Sequence, residues 1–301
     1  MRFTSFVAAA IGLVMAGTSM AKPTVMSSIP DTLSPAVRRE LSHMDPSEYQ
    51  LFERDNLTTE EGGLHKRAQI NGLQTRCTSS KCMSITFDDG AYNWHKKLAN
   101  LFDQNGSKAT FFVNGNNFDC IYNDARVSAL RYSYERGHQI CSHTWSHPNL
   151  ASLSNSQLDR QVQLVEDALW KIIGAVPSCI RAPYGSITDA QVKYLNDRWG
   201  LVVVGWNFDS NDANGYGVDY ALNVYRGLKA PKHAIVLNHE TVETTPNTVM
   251  PQALQIIKQN GYSGSQTVAS TLGFNPYKVV GQYQNRDSSW TCDGKPAPGA
   301  A

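Results

Sequence analysis

The chain has 301 residues, with 27 Lys and Arg against 26 Asp and Glu, and 41% hydrophobic residues. A net charge of +1 lacks the basic excess that nucleic acid or an anionic membrane surface selects, so neither is an expected partner. The length fits one domain with a large core plus flanking segments.

In chain order, Arg2, an apolar stretch from Phe6 to Ala16 and the ending Ser19-Met20-Ala21 read as a secretory signal peptide, residues 1–21. The apolar core is too short to span a bilayer, and no later run approaches about 18 apolar residues. The protein is therefore expected to be secreted, extracellular or in the cell wall, without a membrane anchor. Residues 22–67 are polar, rich in Ser, Thr, Glu and Pro, and end in the dibasic pair Lys66-Arg67; they read as a propeptide without core or chemistry. The folded domain is expected over 68–301.

All six cysteines lie in that domain, and an even count in a secreted chain favours disulfides. Cys77 and Cys292 are the expected clasp between the domain ends. Cys141 and Cys179, each two residues before a candidate site residue on a strand, read as buried thiols. Of the two glycan sequons, Asn56 falls in the propeptide segment and Asn105 in a helix-to-strand loop, where a glycan is better accommodated.

Short β-rich runs alternate with amphipathic ones. Ser84 to Phe87, Ala109 to Val113, Gln139 to Cys141, Cys179 to Arg181, Leu201 to Val204 and Ala234 to Leu237 read as strands buried on both faces. Leu158, Val162, Val165, Leu169 and Ile173 recur at helical steps behind the capping box Ser154 to Gln157, and Thr188 to Gln191 opens the next helix. Such alternation predicts an α/β fold, a barrel of about seven parallel strands whose polar clusters collect at the strand carboxyl ends. The tail from Lys295 to Ala301 reads as a short disordered end.

His143 and His147, four residues apart, are expected on one face of a helical turn, where both rings can close on one metal ion. A carboxylate from Asp88-Asp89-Gly90 would complete three ligands and leave an open position for water, the layout of a catalytic metal. Alone, Asp-Asp-Gly is an ordinary turn.

The segments Thr86-Phe87-Asp88-Asp89-Gly90, His143-Thr144-Trp145-Ser146-His147-Pro148, Arg181-Ala182-Pro183-Tyr184, Trp206-Asn207-Phe208-Asp209 and Ile235-Val236-Leu237-Asn238-His239 together resemble the five motifs of carbohydrate esterase family 4. These are the NodB-homology polysaccharide deacetylases, and the chain is most similar to secreted fungal chitin deacetylases. The resemblance covers about Met83 to Gln266; its fifth motif opens with Ile235 where Leu is usual. It implies a distorted barrel of NodB-homology type and metal binding by Asp89, His143 and His147, with zinc, cobalt or another divalent ion. It also implies Asp88 as general base, held ionised by Arg181, and the Tyr184 backbone N–H at the oxyanion.

Collapse of the tetrahedral intermediate needs a proton on the departing amine, and His239 is the candidate acid, tuned by Asp209 or, as second choice, Asp212. Trp145, Trp206 and Tyr184 are candidates to stack on sugar rings, and core packing is the competing role for each tryptophan. The expected function is metal-dependent removal of N-acetyl groups from chitin or chitooligosaccharides by a monomer. Acetyl xylan or peptidoglycan is an alternative substrate, and a non-catalytic carbohydrate-binding protein a third reading.

Overall fold

A computed structural model describes residues 29–52, 57–60, 63–66, 70–78 and 81–301. The signal segment 1–21, Arg67 and the Asn56 sequon lie outside the described residues. The chain begins with α1 (Pro35–Leu41), β1 (Gln50–Leu51), β2 (Leu57–Glu60), β3 (Gly63–Lys66) and β4 (Leu73–Gln74). It continues through β5 (Met83–Gly90), α2 (His95–Gln104), β6 (Thr110–Val113), α3 (Asp124–Glu135), β7 (Gln139–Ser142), α4 (Asn155–Ile173), β8 (Ala175–Pro177) and β9 (Cys179–Ile180). The remainder is α5 (Asp189–Trp199), β10 (Val202–Val204), β11 (Phe208–Asp209), α6 (Gly217–Gly227), β12 (Ala234–His239), α7 (Met250–Gln259), α8 (Val268–Leu272) and β13 (Tyr277–Val280).

Eight strands form one parallel sheet in the order β11-β12-β5-β6-β7-β9-β10-β4. The outermost strands, β11 and β4, do not pair with each other, so the sheet curls into a distorted barrel without closing. All six strands read from the sequence are present, because buried apolar runs such as Phe111-Phe112-Val113, each 0% exposed, have no solvated face to offer. The two extra strands, β4 and β11, are two residues long and too short to show a pattern. Both capping boxes form: Ser154 and Thr188 each accept from the backbone N–H of their glutamine, whose side chain bonds back to the cap. α4 ends at Gly174 in the left-handed region (φ 66°), where the backbones of Gly281 and Gln282 pass too close for a side chain.

Residues 29–52 do contribute to a core, contrary to the reading of 22–67 as coreless. Leu33, Val37 and Leu41, at four-residue steps, are no more than 1% exposed and pack with Trp170, Val176 and Val279. Three apolar residues in a polar background are a weak sequence signal, yet Leu33, just ahead of the Ser34 cap, joins Val37 and Leu41 of α1 in one cluster. The Ser34 N–H donates to Glu166 Oε2 (3.0 Å), Lys278 Nζ donates to the Thr32 carbonyl (2.8 Å), and Lys278 and Glu166 form a buried ion pair. β1 adds to β13, which pairs with β8, in a small antiparallel sheet.

The cysteines pair as Cys77–Cys82, Cys120–Cys292 and Cys141–Cys179, which corrects both the Cys77–Cys292 clasp and the two buried thiols. Cys141 and Cys179 lie on β7 and β9, which are neighbours in the sheet although β8 separates them in sequence, and their Cα atoms are 5.2 Å apart. The carboxyl-terminal tail, read as disordered, hydrogen-bonds into the domain through Pro296, Gly299 and Ala300. Asn105 caps the end of α2, with its amide nitrogen on the Leu101 carbonyl (2.8 Å). No helix among the described residues is long and apolar enough to cross a membrane.

Candidate active site

β5, β7 and the turns that follow them deliver three donor atoms to one point. Ligand atoms of Asp89, His143 and His147 all lie within 4.8 Å of one another, with His147 Nε2 at 3.2 Å and His143 Nε2 at 3.6 Å from Asp89 Oδ1. The histidines do not share a helical turn as expected. The segment is irregular, and Thr144 (φ 71°) and His147 (φ 60°) sit in the left-handed region that would break a helix. The loop is held instead by Asn114, whose amide donates to the carbonyls of His143 (2.6 Å) and Thr144 (3.0 Å). Asp89 and Tyr184 also have positive φ (71° and 60°), so four non-glycine residues of one site share this costly conformation.

The chemistry of the donors suits a cation. His143 Nδ1 meets the Arg181 carbonyl (3.0 Å), which fixes the proton there and leaves Nε2 as a lone pair. Burial, reinforced for His147 by its neighbour His143, lowers both rings to about 3 and keeps them in the neutral, ligating form. Burial also raises Asp89 to about 7; His239 opposes the rise, and the carboxylates of Asp88, Glu240 and Asp212 add to it. A buried carboxylate short of positive charge beside two neutral imidazoles is a set of groups that a divalent ion completes.

Asp88 is 3% exposed, and its Oδ1 accepts from Arg181 Nη1 at 2.7 Å. Burial holds the Asp88 carboxyl above its ordinary value, and the Arg181 guanidinium opposes that rise without cancelling it. Arg181, fully buried, spends its other donors on Thr86 Oγ1 and the carbonyls of Val204 and Gly205, and lies over the rings of Phe112 (4.0 Å) and Trp206 (5.6 Å). His239 arrives at the end of β12, in register with Asp88. Its Nδ1 and backbone N–H both meet Asp212, each at 2.8 Å, and Thr245 Oγ1 donates to the same carboxylate at 2.6 Å. Against the downward push of burial, Asp212 lifts His239 to about 9.

The partner of His239 is therefore Asp212 and not Asp209. The Asp209 carboxylate closes its own turn by accepting from the Asn211 N–H (2.7 Å), and its charge acts on Arg181. That turn carries the chain round so that Asp212, three residues on, faces β12.

A family model described as polysaccharide deacetylase matches residues 75–204. The chain is 36% identical over 236 residues to a chitin deacetylase of Pestalotiopsis sp, covering 76% of each protein. The chain belongs to the polysaccharide deacetylase family. It is also 33% identical to a probable peptidoglycan-N-acetylglucosamine deacetylase of Arthroderma benhamiae, over 65% of this chain and 45% of that protein. The solved chitin deacetylase from Colletotrichum lindemuthianum superposes with a TM-score of 0.65 at 28% identity, over 70% of this chain and 97% of the other. With the Asp89-His143-His147 cluster, this polysaccharide deacetylase is a metal-dependent hydrolytic enzyme.

The deacetylase departs from its sequence reading at one aromatic residue. Trp145 is 0% exposed and its indole N–H is bonded to the Pro296 carbonyl (3.1 Å), so it packs in the core and cannot stack on a sugar. Trp206 is half-buried beside Arg181, and Gly185 is the residue that makes room for it: a Cβ there would come within 2.9 Å of the indole. Tyr184 is 70% exposed, its ring edge-on to His147 at 4.6 Å. Sequence reasoning passed over Asn114 and Thr245. Asn114 directly follows β6 on the same rim as the other polar clusters, a signal that was available; Thr245, beyond β12, carried none.

Proposed function

We propose that this deacetylase is a secreted, monomeric, zinc-dependent chitin deacetylase that releases acetate from N-acetylglucosamine residues of chitin or chitooligosaccharides. The observation that carries the substrate is the 36% identity to a chitin deacetylase over three quarters of both chains. Residues 68–301 would supply the catalysis, and Lys66-Arg67 would be the processing site of a secreted precursor.

Asp89, His143 and His147 would hold the ion. When bound there, a divalent ion polarises the acetamide carbonyl and lowers the pKa of a water molecule. Asp88, aimed by Arg181, would take a proton from the attacking water as the water oxygen bonds to the carbonyl carbon. The backbone N–H of Tyr184 donates to the oxygen on which negative charge develops. His239, charged through neutral pH by its bond to Asp212, gives its proton to the amide nitrogen as the C–N bond breaks, leaving acetate and the free amine. Tyr184 and Trp206 are the rings left to meet a sugar face.

The test is acetate release by the purified protein from chitooligosaccharides and from acetylated xylan, before chelation, after it, and with zinc restored. Chelator-sensitive release from the chitin oligomers is the expected result. Release from xylan alone overturns the substrate and keeps the chemistry.

The A. benhamiae similarity favours peptidoglycan as a second substrate, to be assayed in parallel.

A further inference from the structure

Between the two histidines of the metal cluster lie Thr144, Trp145 and Ser146, and the carboxyl-terminal tail closes on the last two. The Trp145 indole N–H and the Asn116 side-chain amide both donate to the Pro296 carbonyl, at 3.1 and 3.0 Å. The Gly299 N–H donates to the Ser146 carbonyl (2.6 Å), and Ser146 Oγ donates to the Ala300 carbonyl. Gln161 of α4, 0% exposed, ties the set together: its amide donates to Ser146 Oγ (2.8 Å) and the Ala300 carbonyl (3.2 Å), and its carbonyl accepts from the Ser146 N–H (2.9 Å).

The tail is itself anchored, because Cys292 is bonded to Cys120 in the loop after β6. That loop holds the other side of the ligand segment: the Asn116 N–H donates to the Trp145 carbonyl (2.6 Å), and a Cβ on Gly115 would come within 1.9 Å of the Trp145 ring.

We propose that residues Lys295–Ala300, fastened by Cys120–Cys292, form a clamp that positions the metal-ligand loop His143–His147. The loop needs such a clamp, because left-handed Thr144 and His147 keep their conformation only where surrounding contacts over-determine it. Release of the tail would free the Trp145 indole N–H and the Ser146 carbonyl together and leave the Ser146 hydroxyl only its bond from Gln161. Asn114 and the Arg181 carbonyl would still hold His143, so the loosened end is the one that carries His147. The tail residues are positioning residues, since none of them belongs to the donor set. The inference rests on the assignment of Asp89, His143 and His147 as ligands.

The experiment is zinc titration against a chelating dye, with the thermal midpoint of the metal-free protein measured alongside. The full chain, a chain ending at Gly294 and the His147→Ala variant are compared. The expected result for the shortened chain is a zinc affinity lower by about 10–100-fold, with a metal-free midpoint lowered by the lost hydrogen bonds but still that of a folded protein at the titration temperature. Affinity equal to that of the full chain overturns the clamp. If the shortened chain does not fold, C120S/C292S, which keeps every tail residue but frees the anchor, is read by the same two outcomes. If His147→Ala binds zinc as the full chain does, the ligand assignment falls and the clamp with it. Loss of zinc in that variant beside full affinity in the shortened chain rejects the clamp alone.

Discussion

His143 and His239 offer imidazoles to the same site, yet Nδ1 of one meets a backbone carbonyl and Nδ1 of the other a carboxylate. The carbonyl of Arg181 carries no charge with which to hold a second proton on the His143 ring, so burial prevails and the ring stays neutral, at about 3. Asp212 does carry that charge, so burial is outweighed and His239 stands at about 9. Both rings are largely buried, so burial alone does not separate a ligand from an acid. The atom on the far nitrogen decides, and the fold supplies it from different strands: Arg181 directly after β9, and Asp212 after β11.

The largest effect should come from breaking the neutral corner. His147→Ala removes a donor that no neighbour replaces, and zinc binding and acetate release are expected to be lost together, by metal analysis and activity assay. His239→Ala breaks the charged corner instead. Turnover should fall by about a hundredfold to ten-thousandfold, the range of a lost acid catalyst, with zinc content unchanged. Near-normal turnover in that variant would remove His239 as the acid, and loss of zinc would merge the two corners into one.

Asp212→Asn sharpens the comparison by leaving the imidazole in place. A raised histidine pKa means the protonated form persists below the folded value and is lost as pH rises through it, near 9 here. Without the carboxylate, only the charges of Asp88 and Asp89 still oppose burial, and the His239 value falls below 9. The alkaline limb of the pH–rate profile should therefore move to lower pH, and the variant should approach native turnover only at the acid end of the profile. An unmoved limb would mean that Asp212 holds His239 in place without charging it.

These corners mark how far the sequence could be read. Parallel strands buried on both faces declare themselves by composition, and the candidate residues Asp88, Asp89, His143, His147, Arg181 and His239, picked out by the family resemblance, lie where such strands end. The choice between Asp209 and Asp212 did not follow, because an Asx turn at Asp209 to Asn211 decides it, and turn geometry is not written in spacing. Thr144 and His147 hid their left-handed backbone because nothing in a Thr or His announces it. Trp145 looked like a sugar platform until Pro296, some 150 residues away, proved to cover its indole. The disulfides stayed closed to reading for the same reason: Cys141 and Cys179 become neighbours only once the strand order is known.

The smallest effect expected at either corner comes from cutting the chain at Lys66-Arg67. No cysteine precedes Cys77, so nothing covalent would then hold residues 29–52 to the rest. Leu33, Val37 and Leu41 are nevertheless fully buried, each contributing about 2 kcal/mol of apolar burial. Ser34 and Thr32 also satisfy the Glu166–Lys278 pair, which would otherwise face solvent loss on one side without replacement. The cut protein should elute as one species in native gel filtration, separate into two fragments in denaturant, and keep its zinc affinity and turnover. Dissociation of the amino-terminal fragment with activity intact would show that the buried stripe is dispensable; dissociation with loss of zinc would show that the strap reaches the metal corner after all.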